Sequence, residues 1–224
     1  MSTAAIQRLE QKIPIPDYTL SEELINTISH GVGAALGLTA LILCVIRSTL
    51  HHDPYALAGS IVFGLSLTIL YAMSATYHGV RPGIAKRILR ICDHCTIFLL
   101  IAGTYTPFTL VTLHGTIGWT LFGVIWSAAL FGIILNALDV ERFKALSMVC
   151  YLAMGWCVVI TFPVLQANLA ASGIRLLLWG GIAYTLGAVI YGIGSKVRYM
   201  HSLWHFFVLA GSILHFFCIY CYVI

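Results

Sequence analysis

Seven long apolar runs, parted by short polar segments, account for most of the chain, at about residues 25–47, 55–78, 92–112, 115–136, 145–165, 174–194 and 200–223. Each approaches or exceeds the roughly 20 residues an α-helix needs to cross a bilayer. The runs are continuous rather than alternating and far longer than a strand, which argues against a barrel. The polar segments between them hold turn residues, such as His51-His52-Asp53-Pro54 and Arg81-Pro82-Gly83. The pattern predicts an all-α, seven-transmembrane helix bundle whose consecutive helices are antiparallel neighbours. Residues 1–23 are polar, contain Pro14 and Pro16, and lack the basic start and short apolar core of a signal peptide. They are expected to form an N-terminal tail, with residues 24–224 as one seven-transmembrane domain.

Composition agrees. Of 224 residues 60% are apolar and 9% charged, too few charges to cover a soluble surface. The net charge of +4 is small and scattered, so no nucleic-acid partner is expected. Its placement sets orientation instead. Arg8, Lys12, Arg81, Lys86, Arg87, Arg90, Arg142, Lys144, Lys196 and Arg198 fall on one side, and only Arg47 and Arg175 on the other. Ten against two predicts a cytoplasmic N-terminus and an external C-terminus, in a multi-pass protein of the cell membrane, the bacterial inner membrane being the expected location. Glycines in the first and sixth spans suit close helix packing, and Pro107 and Pro163 should kink the third and fifth spans. The seven cysteines include the pairs Cys92/Cys95 and Cys218/Cys221. Packing is favoured over metal or redox chemistry for both pairs.

Placing polar residues by depth is more informative. With that topology His78 ends the second span at the cytoplasmic side, and Asp93 lies in the first turn of the third. His201 and His205 occupy the first two turns of the seventh, and His30 falls at a similar level in the first. Two histidines at i and i+4 are about 6 Å apart along a helix, close enough to share an ion. With His78 they would supply three ligands and leave a fourth position for water, the arrangement of a catalytic zinc site. Asp93 could hold or deprotonate that water, and Ser74, one turn before His78, could donate to a developing oxyanion.

Taken singly, each residue has a plainer explanation. Asp93 could cap its helix or pair with Arg90, Ser74 could bond back to its own helix, and a lone histidine is usually a packing residue. Together they favour a metal, because ionisable groups inside a bilayer are costly and generally functional. His94 points about 100° from Asp93 and ranks second. His215 lies about 21 Å beyond His201 along the helix and is expected to be a buried hydrogen-bonding residue. His51, His52 and His114 belong to the opposite side.

The motifs E-E-L-I-N-T-I-S-H-G (22–31), S-A-T-Y-H (74–78), D-H-C-T-I-F-L-L-I-A-G-T-Y-T-P-F (93–108), Y-L-A-M-G-W (151–156) and H-S-L-W-H-F-F-V-L-A-G-S-I-L-H-F (201–216) occur in this order. The chain thereby resembles the hemolysin III branch of the progestin and adipoQ receptor family, within a wider group of seven-helix membrane hydrolases that includes alkaline ceramidases. The resemblance implies zinc on His78, His201 and His205, with Asp93 contacting the metal's water and Ser74 beside it. Glu23, Asn26 and His30 match the family's E-x-x-N-x-x-S-H opening and are expected to fasten the first helix near the site.

Three functions are open at this point. The leading expectation is a zinc-dependent hydrolase acting on an amide or ester of a membrane lipid. The second is a receptor-like regulator of membrane state with structural zinc. The third, a cytolytic or channel-forming protein, follows from the family's name but lacks a continuous hydrophilic path through the spans.

Overall fold

Thr19 ends the extended N-terminal segment and starts the first helix. Its hydroxyl accepts from the Glu22 N–H while the Glu22 carboxylate accepts from the Thr19 N–H at 2.9 Å. This capping box satisfies two donors that a helix start leaves orphaned. Helix α1 (Leu20–Leu50) consequently begins before the apolar run at 25 and brings Glu22, Glu23 and Asn26 into the helix. Asp53 accepts from the N–H groups of Tyr55 and Ala56, and Pro54 occupies the first turn of α2 (Pro54–Gly79), where its missing N–H costs nothing. There follow α3 (Ile84–Pro107), α4 (Gly115–Asp139), α5 (Lys144–Trp156), α6 (Phe162–Asn168), α7 (Ala171–Gly194) and α8 (Met200–Tyr222).

The computed structural model describes residues 13–194 and 197–224. Among these, seven spans are long and apolar enough to cross a membrane, α5 and α6 forming the fifth together. The expected bundle is thus present, and its outer face carries exposed apolar side chains such as Phe131, Val149 and Trp179. Arg8, Lys12 and Lys196, counted in the charge balance, lie outside the described residues. Arg81, Lys86, Arg142, Lys144 and Arg198, in the connections or in the first helical turns after them, share one end of the bundle, here the basic end.

The two prolines act differently. Pro107 leads into a π-helical turn, Phe108–Thr112. Pro163 sits in the first turn of α6, behind a 3-10 turn at Cys157–Thr161. That turn frees backbone groups, and Tyr105 recovers two of them: its hydroxyl donates to Gly155 O and accepts from Val158 N, both at 2.9 Å. Several glycines permit the close helix approaches expected of them. A Cβ at Gly37 would meet the Thr68 backbone, and one at Gly180 would meet the His215 ring. Gly31 and Gly192, by contrast, face nothing within 4 Å.

One placement differs from the sequence reading. Helix α3 starts at Ile84, so Asp93 lies in its third turn and cannot be a capping residue. The hydropathy of the run starting at 92 conceals two polar turns that precede it. Those turns carry Lys86 and Arg90, both buried. Arg90 turns to Glu141 and to Pro14 O, so the alternative Arg90–Asp93 pair does not form.

Candidate metal centre

The last turn of α2 and the first turns of α8 meet at the basic end, and the contact depends on α1. Tyr199, just before α8, adopts a left-handed backbone with φ of 64°. Such a conformation is costly for a residue with a Cβ unless its surroundings hold it. Here the Tyr199 N–H donates to Glu22 Oε1 at 2.7 Å, and its hydroxyl meets Ser21 Oγ at 3.0 Å. The start of α1 thereby fixes the start of α8, and with it the height of His201 and His205.

The three imidazoles converge. His201 Nε2 is 3.2 Å from His78 Nε2 and 3.2 Å from His205 Nε2. All three side chains are buried and their ligand atoms lie within 4.8 Å of one another. Nitrogens on a tetrahedral zinc at 2.0–2.1 Å would be about 3.3 Å apart.

Tautomers make the convergence more telling. His78 Nδ1 lies 2.6 Å from Glu23 Oε2, and in the neutral tautomer that donates to this carboxylate Nε2 carries the lone pair. Lone pairs aimed at one point without enough protons between them suit a cation, and a carboxylate behind a ligating histidine is the usual support of a metal site. Glu23 is held in turn by Lys86, whose ammonium donates to Glu23 Oε1 (2.6 Å), Val80 O (3.0 Å) and His78 O (3.3 Å). One lysine therefore fixes the carboxylate and satisfies two carbonyls at the C-terminal end of α2. The Asn26 amide lies 3.4 Å from His78 Nδ1.

His30 is not one of the three converging residues. Its ring stacks on His205 at 3.6 Å between centroids and 9° between planes, with Tyr71 packed edge-on behind it at 4.9 Å. It fixes the plane of His205. Above the site Tyr18 stacks on His201 at 5.0 Å. Burial, helped by the neighbouring Tyr77 and Tyr191, pushes the Tyr18 phenol above its ordinary pKa, so it remains neutral.

Asp93 and Ser74 line one cavity with His30 and His201. Ser74 neighbours the Asp93 carboxylate without a well-formed hydrogen bond, and its hydroxyl is buried and unpartnered. The cavity continues between α3, α5, α7 and α8, past Ile97, Ile101 and Leu152, to Tyr105 and His215. Its wall is overwhelmingly apolar.

His94, His215 and the cysteines stay apart from the three converging imidazoles. His94 Nδ1 is 2.9 Å from Arg90 O, and its Nε2 faces the Tyr191 hydroxyl. His215 hydrogen-bonds Leu177 O at 3.1 Å, as expected of a buried residue in the far half. Cys92, Cys95, Cys218 and Cys221 are free thiols, Cys95 leaning on Ile133 O and Cys218 on Gly173 O. Sequence reasoning missed Glu22, Lys86 and Tyr18. Glu22 was detectable from the T-x-x-E capping signature at 19–22. Lys86 and Tyr18 carry no local pattern that singles them out.

Comparison with known proteins agrees with this architecture. The family described as Haemolysin-III related matches residues 18–216. Hemolysin-3 of Bacillus cereus is 42% identical over 205 residues, covering 92% of this chain and 93% of the relative. The Hemolysin-3 homolog of Bacillus subtilis (strain 168) is 41% identical over 207 residues, covering 92% and 97%. The human monocyte to macrophage differentiation factor, from the progestin and adipoQ receptor family, is 25% identical over 210 residues, covering 92% and 86%. No solved structure matches the chain. With seven spans, a buried histidine trio and matches along most of its length, the chain is a multi-pass membrane protein belonging to the haemolysin-III related family.

Proposed function

We propose that the protein is a zinc-dependent hydrolase acting on an amide or ester bond of a membrane lipid. The observation that carries this reading is the convergence of three imidazole nitrogens beside Asp93 and Ser74, at one end of a long apolar cavity. Three imidazoles are a donor set suited to zinc, and their geometry fits. Bound there, zinc would supply Lewis acidity and a water activated for attack near neutral pH. Asp93 stands where it can take a proton from the attacking water and return it to the leaving group. Ser74, buried and with its hydroxyl unspent, can donate to the oxygen on which negative charge develops. Glu23 and Lys86 hold His78, and His30 holds His205.

An apolar chain would lie in the cavity, out of water. The fifth span forms one wall and is the least buried of the seven, with 11% of its apolar window inside the bundle. A loosely packed wall suits sideways entry from the bilayer. The charge balance of ten against two supports a site at the cytoplasmic face, in a bacterial inner membrane.

Metal content of the detergent-purified protein is the first test. About one zinc per chain, lost in His78→Ala and His205→Ala, supports the site. Turnover of a lipid amide or ester that disappears in Asp93→Asn while zinc remains would then support the chemistry. Folded protein without metal would overturn the reading. A second reading, structural zinc in a regulator, is favoured by one observation: the ligands tie α2 to α8 beneath Tyr18. In that case zinc removal lowers the unfolding temperature and no lipid is turned over.

A further inference from the structure

The apolar cavity does not end at the histidines. A second, polar space opens from them toward the basic end, and the two share His94, Lys144, Tyr191 and His201 on their walls. Five charged side chains line this vestibule: Asp17, Glu22, Arg90, Lys144 and Arg198. Most are already engaged. Glu22 accepts from the N–H groups of Thr19 and Tyr199 and faces Arg198. Arg90 is bonded to Glu141 and Pro14 O. Asp17 is exposed.

Lys144 is different. It is half-buried, stands where the two spaces join, and has no carboxylate partner among the described residues. Its ammonium lies 5.4 Å from the Tyr191 ring centroid, and that ring is 5.8 Å from the His201 ring. An ammonium in such a place, compensated only by an aromatic face, is arranged to meet an anion.

The order of environments then limits the ligand: an apolar cavity, a candidate metal site, and a vestibule with one half-buried cation that has no carboxylate partner among the described residues. We propose that the substrate is an acyl lipid whose leaving portion carries a phosphate, with the acyl chain in the cavity and the phosphate on Lys144. This rests on the hydrolase reading above. Water contributes its oxygen to the acyl carbon and a proton to the leaving oxygen; the acyl–oxygen bond breaks, and the products are a carboxylate, a proton and the phosphate-bearing alcohol. The phosphate is not touched. Lys144 is thus a specificity-determining residue.

Binding tests this without turnover. The purified protein is titrated with dodecyl phosphate, dodecanol or inorganic phosphate while its unfolding temperature is followed, since a ligand of the native state raises it. Dodecyl phosphate should stabilise the wild type saturably and much more tightly than dodecanol or inorganic phosphate. Lys144→Gln should weaken its apparent affinity at least tenfold. Lys144→Arg, and the exposed neighbour substitution Arg142→Gln, should stay within threefold of wild type. Lys144→Met keeps the apolar stem and serves if Lys144→Gln does not fold, and the wild-type comparison of dodecyl phosphate with dodecanol needs no variant.

Equal stabilisation by dodecanol overturns the proposal. So does an equal loss in Arg142→Gln, which would mean diffuse surface charge. Inorganic phosphate binding as tightly as dodecyl phosphate would identify a free anion site and also overturn it. Failure here is separable from failure of the hydrolase reading. Zinc-dependent turnover of a neutral lipid amide, with no preference for phosphate, would leave the hydrolase standing and remove this substrate class.

Discussion

Replacing Glu23 by Gln keeps the shape of the side chain and removes the one negative charge between His78 and Lys86. The Lys86 side chain is 2% exposed and would lose its one anionic partner, keeping neutral acceptors such as the His78 and Val80 carbonyls. Removing one partner of a fully buried ion pair costs about 3–5 kcal/mol. The Glu23 side chain is 18% exposed and Lys86 keeps two acceptors, so about 2–3 kcal/mol is expected here. For a chain of this size that is a fall of roughly 5–10 °C in unfolding temperature. Loss of a carboxylate behind a metal ligand also weakens metal binding about 10–100-fold. Chelator competition and thermal unfolding on the same preparation measure both effects. Lys86→Met should cost a similar amount, yet the double variant should recover at least about 1 kcal/mol relative to the sum, because no unpaired charge remains. Strict additivity, or a zinc affinity in Glu23→Gln equal to wild type, would refute the argument that Lys86 and Glu23 act as one support for His78.

His215→Ala should retain full zinc content, because His215 sits on the far half of α8 with Leu177 O as its partner, whereas His205→Ala should lose the metal; elemental analysis separates the two. His30→Ala removes the ring stacked on His205 and should weaken zinc roughly tenfold without abolishing it, as a supporting residue does, read by chelator competition. Tyr18→Ala uncovers His201, so a water-soluble chelator should extract zinc faster at unchanged affinity, followed by stopped-flow. Gly132→Ala drives a Cβ to 2.1 Å from the Phe98 ring and should destabilise the bundle by about 1–3 kcal/mol, seen as a lower unfolding temperature with zinc content intact.

The seven spans were legible because backbone polar groups in a bilayer must be satisfied within the helix, so each crossing needs a long apolar run. Position along the spans was legible too: His78 and the His201/His205 pair could be assigned to one level from connection lengths and charge. The plainer explanations for Asp93 were decided by the tertiary structure alone, because whether α3 starts at Ile84 or 92 depends on two polar turns that hydropathy discounts. Lys86 and Arg90 are buried in those turns because they find Glu23 on α1 and Glu141 in the connection between α4 and α5.

The sequence by itself therefore determined the number of spans and brought His78, His201 and His205 to one end of the bundle, since these follow from apolar run lengths and connection order that act locally. Only the tertiary structure decided which side chains share a point. It took the Glu22–Tyr199 bond to set the height of α8 and the Lys86–Glu23–His78 chain to orient the His78 ring. The placing of Lys144 between an apolar and a polar space likewise depended on how the helices pack. Each of these is a contact between residues distant in sequence, whose geometry is set by helix packing and carries no trace in the local pattern.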